Sequence, residues 1–249
     1  TIVNCTGPFA DNVRQMLRPN APKRLRPSKG IHILTAKHPE LGHSGMFIPE
    51  TDDGRVIFVL PWLDSMLIGT TDTEVTDPDS PPTVTQGDVS YLINHVNRYL
   101  REPIRQEEVQ GVIAGYRPLV AKTGGSTEAL IRNHEVEVWE KERAVNLLGG
   151  KWTTYRQMAE DAVDALATLL PETKKPCQTQ GLRLQVPQYL TQLTPENLNE
   201  DAVALLVASA QAATISDVLD HRIRLRIQQT SSAEHLMETV AQALAQSLG

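Results

Sequence analysis

Along the first 150 positions, short runs of β-branched and apolar residues alternate with polar breaks, and each break carries turn chemistry. The opening residues, IVNCTG, read as a buried strand running into a glycine turn. Ile31 to Thr35, Met46 to Pro49, Val56 to Leu60 and Met66 to Gly69 have the length and composition of strands in one antiparallel sheet. Asp52, Asp53 and Gly54 supply a hairpin turn between the second and third of these. Val89, Leu92, Ile93, Val96 and Leu100 recur at helical spacing, which predicts an amphipathic helix over Asp88 to Leu100 packed on that sheet. Val109 to Val120 is again strand-like. Val136 to Val138 and Val145 to Leu148 pair around the charged turn Lys141, Glu142, Arg143.

Gly149 and Gly150 break the pattern, and the apolar period then becomes helical. Tyr155, Met158, Ala159, Ala162, Val163, Leu166 and Leu169 trace one face of a helix starting near Thr153. Pro171 to Pro176 reads as a linker. Beyond it leucine and alanine dominate, predicting helices over Pro195 to Ala213, Ile215 to Ile227 and Ser232 to Leu248. The last would bury Ala233, Leu236, Met237, Val240, Ala241 and Leu244.

Composition narrows the class. With 249 residues, 40% hydrophobic and 22% charged, the chain is neither disordered nor too short for a real core, and no apolar run is long enough to cross a membrane. The net charge of −6 disfavours nucleic acid and anionic lipid as partners of the whole surface, so any anion site must be local. Cys5 and Cys177 form no CxxC, and no histidine pair has metal spacing, so no metal site is expected. Arg14 to Lys29 carries six cations, no acid and three prolines. That suits an exposed irregular connection, or else a docking surface for an anionic lipid or substrate.

Three features could carry chemistry. In the strand, Gly149-Gly150, helix unit, glycines let a ligand approach the backbone and the free amides of the helix start favour an anion. Lys151 adds a cation, and Thr153 and Thr154 add hydroxyls; the alternative is an ordinary turn with a solvated lysine. Arg117, in GYRPLV, and Arg132, in IRNHEV, lie at strand ends, where guanidinium groups can hold a small anionic substrate or be consumed in salt bridges. His32 stands between Ile31 and Ile33, pointing away from both, and could be an acid or base or a structural residue. No two of the fifteen glycines are separated by a single intervening residue, so the dinucleotide fingerprint GxGxxG does not occur.

The pieces TIVNCTGPFAD, SKGIHI, DGRVIFVLPW, GTTDTE, GYRPLV, IRNHEV and GGKWTTYRQMAEDAVDA, in this order and spacing, resemble the FAD-dependent glycerol-3-phosphate dehydrogenases of the mitochondrial, respiratory type. CQTQGLRL and TISDVLDHRIRLRI resemble the helical cap of that family. The resemblance implies a mixed α/β and α+β chain: a partial FAD-binding fold (residues 1–12 and 144–170), an antiparallel-sheet substrate domain (13–143), a linker (171–176) and a small helical domain (177–249). An upstream segment is expected to hold the GxGxxG half, and this chain alone is expected to bind FAD weakly and to be inactive.

By the family pattern, Thr6, Gly7, Gly149, Gly150, Lys151, Trp152 and Thr153 face the FAD. Arg132 binds the substrate phosphate, with Arg117 and Lys151 also on the substrate. Arg117 lies near the oxidised hydroxyl and His32 helps remove its proton. The implied reaction oxidises glycerol 3-phosphate to dihydroxyacetone phosphate and passes electrons to quinone. The implied setting is a homodimer in the cytoplasm or peripheral on the inner membrane. An oxidase that uses oxygen, an enzyme of another small anion, and a non-catalytic scaffold are the other readings.

Overall fold

The computed structural model describes residues 1–121, 133–170, 175–184, 187, 192–223 and 233–248. The strands are β1 (Ile2–Asn4), β2 (Ser28–Ala36), β3 (Met46–Ile48), β4 (Ile57–Trp62), β5 (Ser65–Gly69), β6 (Thr73–Glu74), β7 (Val109–Arg117), β8 (His134–Trp139) and β9 (Ala144–Gly149). The helices used below are α1 (Ala10–Leu17), α2 (Gln86–Asn97) and α3 (Tyr155–Ala167). Contacts divide the chain into two units. The first comprises Thr1–Ile31, Thr71–Thr85 and Ala114–Arg183, and the second His32–Thr70, Gln86–Ile113 and Leu184–Gly249.

The first unit is built on a three-stranded sheet of order β1-β9-β8. The β8–β9 hairpin turns where the charges of Glu140 to Arg143 require it, with Trp139 opposite Ala144 and His134 opposite Gly149. β9 is buried along its whole length, whereas β1, parallel to it, is buried only at Asn4. Ile2 and Val3 are each 43% exposed, and β1 is an edge of the three strands described. Ala10, Leu25, Val120 and Leu148 form one apolar cluster, and Ala21, Trp139 and Ala144 another.

The basic stretch overturns the expectation of an exposed connection. Arg14 sits in α1 and is 2% exposed, bonded to Asp11 (2.5 Å), to Glu137 (3.1 Å) and to the Pro22 carbonyl (2.9 Å). Arg24 pairs with Glu135 and Glu137, Arg18 with Glu142, and Arg26 with Glu74. The Lys29 ammonium donates to the Thr83 carbonyl at 2.9 Å. A run without local acids is neutralised by carboxylates far along the chain, which local composition does not reveal.

The second unit has an antiparallel ladder, β3-β4-β5 and the His32–Ala36 half of β2. Val59 and Ile68 face each other in the core, and the hairpin turn contains Gly54 at φ +74°. Helix α2 buries Val89, Leu92, Ile93 and Val96, as its spacing predicts, but ends at Asn97. In the C-terminal stretch, Asn199 caps the helix Glu200–Ala210 by accepting from the Ala202 amide at 2.9 Å. The expected long helix from Pro195 is therefore a single 3₁₀ turn followed by this shorter one.

The next helix, Ile215–Leu219, starts at a capping box of Thr214 and Asp217; the end of the expected helix, residues 224–227, lies outside the described residues. Main-chain amides of Ala213 and Thr214 pull the Asp217 carboxyl down to about 2. The last helix, Ala233–Leu248, buries Leu236, Val240, Ala243 and Leu244, while Met237 and Ala241 lie exposed, a face rotated from the predicted one.

Candidate functional site

Because β1 and β9 are parallel and in register from Ile2 with Ala144 to Asn4 with Asn146, their carboxyl ends lie at the same end of the sheet. The Thr6–Gly7 turn leaves one strand there and the Gly149–Lys151 turn leaves the other. In open α/β sheets, ligands bind outside such carboxyl ends. The Thr6 hydroxyl donates to Asn4 Oδ1 at 2.8 Å, and the Asn4 amide donates to Asn146 Oδ1 and to the Ala10 carbonyl, both at 2.9 Å. This buried pair fixes the start of the first turn to the second strand.

Gly149 and Gly150 have φ of +71° and +93°. A Cβ on Gly149 would lie 2.6 Å from Val120 Cγ2 and 2.8 Å from the Asn133 carbonyl oxygen, so only glycine fits. A 3₁₀ turn, Trp152–Thr154, then leads into α3. The first amides of a helix have no intrahelical partner. Lys151, Trp152, Thr153, Thr154 and Tyr155 are all exposed, Trp152 to 89%. Along α3, Ala162 is buried and Met158 and Leu166 are half-buried, but Tyr155 and Val163, expected in the core, are exposed.

Arg117 ends β7. Its guanidinium lies over Gly30, where a Cβ would come within 2.1 Å of Nη2, and it donates to the Thr71 carbonyl at 3.0 Å and to Ser28 Oγ at 3.4 Å. Asp72 faces it at 3.5 Å. The group is thus held flat by a glycine and oriented by a carbonyl. Gly30→Ala tests this hold. The clash falls on the far end of a flexible side chain, so stability should change by less than about 1 kcal/mol. The guanidinium must swing away, however, and a displacement of about 1 Å can cost about 10²-fold in rate. A Gly30→Ala protein with wild-type activity would show that the position of Arg117 is immaterial.

His32 belongs to the second unit. It is partly exposed between fully buried Ile31 and Ile33, on the face its alternation predicts. It pairs with Gly69 across the ladder, and its ring covers that glycine: a Cβ there would lie 2.1 Å from Cδ2. Phe58, the partner of Gly69 on its other side, and Phe47 beyond it continue the row, their rings 5.1 Å apart. Arg132 lies outside the described residues.

Sequence reasoning missed the two glycine shelves, Gly30 and Gly69, and a His134–Asp161 pair beside the Gly149 turn. Gly30 stands two positions before His32, but nothing in the sequence marked Gly69 or Asp161. Among the described residues no cluster of potential metal ligands occurs, and no helix is long and apolar enough to cross a membrane.

A profile of the FAD dependent oxidoreductase family matches residues 1–149. Mitochondrial glycerol-3-phosphate dehydrogenase of Mesocricetus auratus is 40% identical over 187 residues, 74% of this chain and 25% of that protein. A probable mitochondrial glycerol-3-phosphate dehydrogenase of Caenorhabditis elegans is 30% identical over an alignment of 301 residues, spanning this whole chain and 41% of that protein. Among solved structures, the glycerol-3-phosphate dehydrogenase from Bacillus halodurans complexed with FAD superposes with a TM-score of 0.63 at 25% identity, covering 96% of this chain and 48% of that one. The FAD-bound L-alpha-glycerophosphate oxidase of Mycoplasma pneumoniae, at TM-score 0.54 and 20% identity over 75% of this chain and 47% of that one, shares the fold. The chain spans about a quarter of the length of the first curated relatives it matches.

Proposed function

The chain belongs to the FAD-dependent oxidoreductase family, and from that premise we propose that it takes part in oxidising sn-glycerol 3-phosphate to dihydroxyacetone phosphate, with electrons passed on to quinone. The observation that carries this reading is the shared carboxyl end of β1 and β9, where Thr6, Gly7 and Gly149 to Thr153 stand together. The names of the relatives support the substrate.

The residues at that end fit FAD in their chemistry. Exposed helix-start amides and Lys151 favour a group that gains negative charge, and the open faces of Trp152 and Tyr155 suit a flat aromatic ring. When bound, FAD supplies the hydride acceptor. The work of this chain is to bind, orient and move a proton. Arg132 is assigned the phosphate, and Arg117 and Lys151 the remaining polar groups of the substrate. His32 takes the proton of the hydroxyl as the hydride leaves the same carbon, so that the carbon–oxygen double bond forms with charge balanced. A homodimer peripheral to a membrane is part of the same reading.

Anaerobic glycerol 3-phosphate should bleach the flavin absorbance of the loaded full-length protein, upstream segment included, in a single turnover. Glycerol, which lacks the phosphate, should do so at least about tenfold less efficiently, since one contact to a charged group contributes about 1.5 to 3 kcal/mol. Equal bleaching by both compounds, or none by either, would reject the substrate assignment. Reoxidation by a soluble quinone should outpace reoxidation by dioxygen; the reverse order would replace quinone with oxygen.

A further inference from the structure

His134 begins β8, directly opposite Gly149 at the end of β9. Its Nε2 lies 2.7 Å from Asp161 Oδ2 on α3, and because a carboxylate only accepts, that nitrogen carries the proton. The other Asp161 oxygen accepts from the Gln157 amide at 2.7 Å. The bond from His134, followed by that from Gln157, holds the Asp161 carboxyl below the usual carboxylate range.

Between these two elements sits the turn. A Cβ on Gly150 would lie 2.3 Å from Met158 Cε on α3 and 3.3 Å from His134 Cβ. The backbone at Gly150 is therefore wedged between the first residue of β8 and the first turn of α3, and the histidine–aspartate bond ties the two walls together. The Arg156–Glu160 pair makes a useful contrast. It is as short, at 2.6 Å, lies on the same helix and is similarly exposed, yet it links no strand to the helix.

We propose that His134 is a positioning residue that acts through Asp161 to fix where the Gly149–Gly150 turn presents the main-chain amides of Trp152 and Thr153. This inference rests on the reading of those amides as the flavin-facing groups. Preorganised donors stabilise developing charge only when they are held in place, so a tie this close to the turn bears on the cofactor although it touches none of it.

Amide hydrogen exchange measured without flavin tests the tie. In Asp161→Ala and His134→Ala, exchange at Thr154 and Tyr155, whose amides bond back to the Lys151 and Trp152 carbonyls, should rise about tenfold, the effect of one lost charge-assisted bond on a local opening. Glu160→Ala should leave those amides unchanged, and His134→Gln, which keeps a donor, should restore most of the protection. Indistinguishable exchange in Asp161→Ala and Glu160→Ala would overturn the positioning role. FAD titration followed by flavin fluorescence supplies the second arm, where Asp161→Ala should weaken binding about tenfold and Glu160→Ala should not. Equal FAD affinity in the two variants would remove the link to the cofactor. Loss of protection in a full-length protein, upstream segment included, whose wild type takes up no FAD would reject the flavin reading and leave the tie standing, whereas intact FAD binding with no exchange contrast would do the opposite.

Discussion

Arg14→Ala should destabilise the protein by about 3 to 5 kcal/mol in urea unfolding, the range for removing one partner from a buried ion pair. The substitution leaves the Asp11 side chain, 7% exposed, and the Glu137 side chain, 18% exposed, without their common cation. It also removes the donor to the Pro22 carbonyl and the guanidinium that lies 5.1 Å from the Trp139 ring centroid. Asp11 keeps the main-chain amides of Arg24 and Leu25, each at 2.8 Å, and Glu137 keeps Arg24, so the network thins without vanishing. Arg18 supplies the contrast. It covers the same tryptophan more closely, at 4.1 Å, and pairs with Glu142, yet its side chain is 42% exposed. Exposed pairs contribute about 0 to 1 kcal/mol and an exposed cation–π contact about as much, so Arg18→Ala should cost far less than Arg14→Ala. Equal losses in the two variants would mean that burial of the network contributes nothing.

That network also marks where reading the sequence reaches its limit. The β8–β9 hairpin was legible because alternation and a charged turn are local, and so was the glycine break that follows it. Helix α2 was legible for the same reason, since its apolar period is written in consecutive residues. The basic stretch was not, because Glu74, Glu135, Glu137 and Glu142, which neutralise it, lie some 50 to 120 positions away. A helix such as α1, whose buried face holds Asp11 and Arg14, has no apolar stripe there to announce it. The site divides in the same way. Alternation in β2 placed His32 on the opposite face from Ile31 and Ile33. Only the register of the ladder shows that its ring rests on Gly69, and only the backbone path shows that Gly30 lies under Arg117. The exposure of Tyr155 and Val163 escaped for a related reason: both have core composition, and burial depends on neighbours that composition does not specify.

The shelf under His32 separates binding from chemistry in the second large prediction. If the imidazole accepts the hydroxyl proton, His32→Ala should lower single-turnover flavin reduction by glycerol 3-phosphate by about 10² to 10⁴, while substrate affinity changes little. The acid limb of the pH profile should disappear with it, because the group whose protonation produces that limb is gone. Gly69→Ala reaches the same end without touching the histidine. Its new methyl would overlap the ring, with Cδ2, Cγ and Nε2 at 2.1, 2.6 and 2.7 Å, and must turn the imidazole off the shelf. A base moved by about 1 Å loses about 10²-fold. Gly69→Ala should therefore slow flavin reduction with His32 still present, and should keep an acid limb that His32→Ala lacks. Near wild-type reduction in both variants, with only a fall in thermal stability, would make His32 a structural residue of the ladder and pass the proton to Arg117 or to water.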